Sequence, residues 1–192
     1  MNVPGSLSIT EKSTRTSSAL AESYLSCIAV GVLAGVAVAE LQTPLHWPGH
    51  KVVFWMIPVL ASRIAARARA GATAGASAAA ATTFALGGRL AGGVWLMPLV
   101  ILAGALLDLA AQWVDRRAGS VRWWMPIFGL AGLAGNLVCF IKRLFDFAPA
   151  AFDRSGNFQE LLSVAGSYAV FGLVAGLLGA GIGYAIRNSL RD

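Results

Sequence analysis

Both histidines of this chain fall in one ten-residue stretch, Leu41 to His50, which reads LQTPLHWPGH. His46 and His50 stand four apart, a spacing that suits a metal on a helix. Pro48 lies between them and opposes a regular helix. No third histidine and no adjacent Cys, Asp or Glu completes a ligand set, so neither a metal nor another cofactor is expected. Trp47 has two readings, an interfacial belt residue or a stacking surface for a planar ligand. A second polar group gathers further on. Asn136 and Arg143 share a helix face at i, i+7, with Lys142 and Asp146 close by. Glu160, Ser163 and Ser167 share another face just before Tyr168. Polar groups inside apolar helices are expensive and tend to face a cavity. Trp47, Asn136, Arg143 and Tyr168 are therefore the candidate solute-binding residues. The plainer alternative is snorkelling cations and a helix-packing hydrogen bond from Asn136.

One acid, Asp108, stands within an apolar run. Arg63, Arg67 and Arg117 are its expected partners, in a structural ion pair rather than a proton relay. Cys27 and Cys139 lie in apolar surroundings without a CxxC pair, and read as small buried residues. No HExxH, GxSxG, Walker A or DxD-type constellation occurs, so no enzyme activity and no ATP-binding domain is expected.

The elements that would hold these residues are membrane spans. The chain is 57% hydrophobic and 12% charged, with a mean hydropathy of +0.68, whereas a soluble domain carries about 25% charged residues. A span needs roughly 20 apolar residues. Six such stretches are read at 21–40, 51–68, 71–88, 93–114, 123–145 and 161–186, giving an all-α integral membrane protein. The weakest is 51–68, where Arg63, Arg67 and Arg69 follow a short apolar core. Residues 1–19 hold Ser, Thr, Lys and Arg without apolar periodicity and read as a disordered tail; 20–192 forms the six-helix domain. A signal peptide ending near Ala37-Val38-Ala39 is the alternative for the N-terminal part.

Orientation follows from the basic residues. Lys12, Arg15, Arg63, Arg67, Arg69, Arg116, Arg117, Arg122, Arg187 and Arg191 fall on one side of a six-span arrangement. Lys51, Arg89, Lys142, Arg143 and Arg154 fall on the other. The excess places both termini in the cytoplasm of a bacterial inner membrane. The sequence pI near 10 is this bias, and no basic, aromatic-interleaved soluble segment points to nucleic acid.

Small residues recur every four positions at Cys27, Gly31, Gly35 and Ala39. Such a face lets another helix approach closely, either within this protein or in a second membrane subunit. The stretch 70–88 holds Gly71, Gly75 and nine alanines and is expected to be buried among the other helices.

The size, the six spans and the ladder Gly31/Gly35/Ala39 resemble the substrate-binding S component of an energy-coupling factor transporter. Residues 63–88, RIAARARAGATAGASAAAATTFALGG, with 99–110, LVILAGALLDLA, are similar to a pattern in vitamin and pyrimidine-binding members. The resemblance implies docking of a transmembrane coupling subunit on Gly31, Gly35 and Ala39, with ATPase subunits beneath. It also implies solute contact near Trp47, Asn136, Arg143 and Tyr168. The expected function is thus binding of a small, vitamin-like solute for uptake. A non-transporting assembly or scaffold protein and a small secondary carrier are the alternatives, although the halves show none of the internal similarity of inverted repeats.

The basic asymmetry makes a direct prediction. In intact cells, a cysteine introduced at Ser155 should react with an impermeant thiol reagent and one at Ser120 should not. Labelling at Ser120 from outside would reverse the orientation.

Overall fold

The computed structural model describes residues 7–41, 47–87, 96–117, 124–151 and 157–190, with side chains at 18–41, 47–87, 96–117, 124–142 and 159–190. All regular structure among them is helical: α1 (Leu7–Glu40), α2 (Val52–Ala66), α3 (Gly71–Ala85), α4 (Leu96–Arg116), α5 (Trp124–Ala151) and α6 (Asn157–Ser189). α1 begins at Leu7, within the stretch read as a tail. No Gly or Pro occurs between Leu7 and Val30, and extending a helix already nucleated by an apolar segment is cheap.

Among the described residues four helical segments are long and apolar enough to cross a membrane: Ser18–Glu40, Leu96–Arg116, Trp124–Lys142 and Gln159–Ser189. The other two expected spans are corrected in length. α2 and α3 hold 15 residues each, about 22 Å at 1.5 Å per residue, against a hydrocarbon core of about 30 Å. Backbone turns set both limits. Arg67 ends α2 in the left-handed region at φ 55°, and Gly87 follows α3 at φ 66°.

The helices form a closed ring in the order α1, α3, α4, α5, α6, α2, and α2 also meets α3 and α4 across it. Close approaches give the directions. Cys27 faces Gly71 and Gly31 faces Gly75, so α1 and α3 run parallel. Gly179 lies against Leu60 and Gly183 against Ile64, so α2 and α6 are parallel too. Phe128 meets Gly176 and Asn136 meets Gly172, making α5 and α6 antiparallel. The chain thus runs back and forth between two ends. One gathers the ends of α2, α4 and α6 with the start of α3. The other gathers the starts of α2, α4 and α6.

The core centres on α2. Trp55, Met56, Val59, Leu60 and Ile64 are buried there, with Leu107 of α4 and Phe128 of α5. Large exposed apolar side chains belong mainly to the long helices: Leu25 and Leu33 on α1, Leu102 and Leu109 on α4, Leu130 on α5, Val170 and Leu178 on α6. α2 contributes none among the described residues. An apolar exterior around a packed interior is the arrangement of a membrane-embedded protein.

The small-residue ladder of α1 is filled from within. A methyl at Gly35 would lie 2.6 Å from the Ala79 carbonyl oxygen and 2.8 Å from Thr82 Cβ, and one at Gly31 would run into the backbone of Gly75. Thr83 Oγ1, 3.1 Å from the Gly35 carbonyl oxygen, donates across the same contact. Of the two readings of the ladder, packing within the protein is the one seen at Gly31 and Gly35, where α3 lies against them. Ala39, one turn on, is half-buried.

Gly35→Leu should accordingly destabilise the isolated protein, at or beyond the 1–3 kcal/mol typical of overpacking. Gly166→Ala, with nothing within 4 Å of the added methyl, should leave the melting temperature in detergent unchanged or slightly higher. Equal melting of Gly35→Leu and the unaltered protein would contradict the α1–α3 contact.

Candidate functional site

At the end where α6 starts, the segment from Trp47 to Lys51 enters α2 through a turn. Gly49 takes φ 83° there, and Val52 and Val53 donate back to the carbonyls of Gly49 and His50. The turn sits on α6. A methyl at Gly49 would lie 3.0 Å from the Tyr168 ring, so glycine is required both for the left-handed backbone and for the contact. Trp47 packs a tilted ring against Phe171, one turn after Tyr168, with centroids 6.2 Å apart. Trp47 nevertheless stays 64% exposed, so most of its surface remains available for stacking.

Tyr168 is buried beneath this turn and packs on Phe140 of α5 at 5.3 Å between centroids. Asn136 is buried one turn deeper, and its Nδ2 donates to the Tyr168 carbonyl oxygen at 2.7 Å. That bond ties α5 to α6, so the amide nitrogen is committed to packing. Three of the four candidate residues thus converge: Trp47 on Phe171, Gly49 on Tyr168, Tyr168 on Asn136. Arg143 lies on α5 two turns beyond Asn136, and its side chain falls outside the described ones. Phe171 and Phe140 are the partners that spacing could not single out, because aromatic residues on apolar helices read as ordinary core.

His50 Nδ1 contacts the Trp47 carbonyl oxygen, which fixes this short turn. Among the described residues no group of three His, Cys, Asp or Glu is placed to hold a metal. His46 lies outside them. Cys27 and Cys139 are both buried and unbridged.

The opposite end contains a buried charge network. Arg63, 2% exposed, donates from Nε to Asp108 Oδ1 at 3.2 Å and from Nη2 to Asp115 Oδ2 at 3.2 Å. Arg63 is one of the three arginines expected for Asp108. Asp108 also receives the Ala72 N–H on Oδ1 at 3.1 Å, and the Thr73 N–H and hydroxyl on Oδ2, each at 2.7 Å. These are first-turn amides of α3, which have no partner within the helix. Ala70 at the cap position offers no side-chain bond, so a carboxylate from α4 supplies the cap and meets the positive end of the helix dipole. Arg187 of α6 reaches Asp115 at 3.8 Å. The network joins α2, α3, α4 and α6.

Comparison with family models, with curated proteins and with solved structures finds no match for this chain.

Two outcomes follow from these bonds. Asp108→Leu should cost about 3–5 kcal/mol, because it takes the Nε partner from a buried arginine and the cap from α3, and Arg63→Met combined with it should recover the arginine's share of that loss. Thermal melting of the singles and the double decides; additive losses would mean the pair is not coupled. Asn136→Ala should lower stability by about 1 kcal/mol, the worth of a net hydrogen bond, whether or not a solute is present.

Proposed function

We propose that this protein is a solute-binding membrane subunit for uptake, of the kind found in energy-coupling factor transporters. The observation that supports it best is the Trp47–Lys51 turn. It is seated on α6 by the Trp47–Phe171 and Gly49–Tyr168 contacts, yet offers a largely open indole face. A stiff turn bearing an exposed aromatic beside the polar first turns of α6 is suited to stack a planar solute. Arg143 supplies charge recognition from α5, and Tyr168 shapes the floor. Asn136 acts by holding α5 to α6 beneath it.

In this reading the four long helices and the α2–α3 hairpin bring both termini to the cytoplasmic face of a bacterial inner membrane. The basic bias of the sequence supports that orientation. Energy for uptake comes from ATPase subunits through a transmembrane coupling subunit, which engages a surface other than the filled Gly31/Gly35 face.

The test is a thermal-shift screen of small planar micronutrients on the purified protein, followed by calorimetry. Trp47→Ala should weaken the bound solute roughly 2- to 13-fold, the effect of losing one aromatic contact of about 0.5–1.5 kcal/mol. Arg143→Ala should weaken an anionic solute roughly 10- to 100-fold and a neutral one much less. Unchanged affinity in both variants would place the solute elsewhere. A protein that no solute stabilises would favour the scaffold reading.

A further inference from the structure

The α2–α3 turn does not reach the end of the molecule. Its Ala70 N–H meets the Tyr24 hydroxyl at 3.4 Å, and its Arg69 carbonyl accepts from Gln112 Nε2 at 3.0 Å. α1 extends well before Tyr24, and α4 runs another turn past Gln112. Residues 67–70 therefore form a ledge, recessed between two longer helices because α2 and α3 are short.

The ledge and its α4 wall are rich in positive charge. Arg67 and Arg69 on the turn, Arg116 at the end of α4 and Arg117 just after it are all exposed. Gln112 is one helical turn before Arg116, so its bond to Arg69 brings Arg69 and Arg116 to neighbouring positions. The Arg117 guanidinium lies 3.9 Å over the Trp113 ring, and Trp113 is itself exposed. The two described acids of α4 are engaged elsewhere: Asp108 by Arg63 and α3, Asp115 by Arg63 and Arg187; Glu22 stands on the α1 wall two residues before Tyr24. An exposed tryptophan next to cations marks headgroup depth in a membrane protein.

We infer that this ledge binds the headgroup phosphate of an anionic phospholipid, with Arg69 and Arg116 on the phosphate and Trp113 against the upper acyl chain. The charge is complementary, and guanidinium groups bind phosphate oxygens through paired N–H donors. The recess gives a lipid headgroup room at a depth where a flush helix end would exclude it. The inference rests on the protein being membrane-embedded and is independent of any solute at the other end.

The probe is phosphatidylglycerol, with phosphatidylcholine of the same chains as control. Native mass spectrometry of the delipidated protein in detergent should show one phosphatidylglycerol retained in preference to phosphatidylcholine. Removing cations near an anionic headgroup weakens binding about fivefold each. Arg69→Gln with Arg116→Gln should therefore lower phosphatidylglycerol retention about 30-fold, while Lys51→Gln at the opposite end leaves it unchanged. Circular dichroism confirms that each variant is folded. Equal retention of the two lipids, or of phosphatidylglycerol by the unaltered and doubly altered proteins, overturns the inference. Displacement of the lipid by equimolar inorganic phosphate overturns it as well.

Discussion

The fold depends on one carboxylate. Asp108 is buried in α4 and serves two groups that could not be buried without it: the Arg63 guanidinium and the first amides of α3. Unsatisfied backbone N–H groups cost several kcal/mol in an apolar medium, and an isolated buried arginine costs more. The three elements offset one another. α3 has no capping side chain of its own, Arg63 lies in the last turn of the central helix, and α4 carries the only buried acid among the described residues. Asp115 extends the same logic toward the surface, where it ties α6 to the group through Arg187.

At the other end, a turn rests on α6. Aromatic packing and glycine hold it there. Gly49 lets the backbone rest on Tyr168, and the indole of Trp47 leans on Phe171 while staying mostly exposed. The molecule is thus clamped by charge at the end of α2, where it is rich in arginine, and joined by aromatic contact at the Trp47–Lys51 turn.

Much of this was legible in the sequence, and the gaps have physical causes. Hydropathy located α1, α4, α5 and α6, because each holds enough consecutive apolar residues to register. It overestimated α2 and α3, because a window of composition does not see Arg67 entering the left-handed region or Gly87 ending the next helix. The four-residue spacing of Gly31 and Gly35 defined a face but not its occupant; alanine-rich α3 filled it. Arg63 was among the partners expected for Asp108, whereas the cap on α3 was not foreseen, since it depends on the absence of a polar side chain at Ala70. Asn136 followed the packing alternative, and Tyr168 lies beneath the turn that carries Trp47. Arg143 lies beyond the described side chains.

The cap on α3 also constrains how the chain can be assembled as it is made. Asp108 stands 36 positions after Ala72 and 45 after Arg63. When α2 and α3 leave the ribosome, both the guanidinium and the helix start they must bury still lack their counterpart. Neither helix is long enough to settle across a bilayer by itself, and neither can be satisfied internally until α4 arrives. The hairpin is thus completed only by a residue made after it, and its burial and that of α4 are one event rather than two.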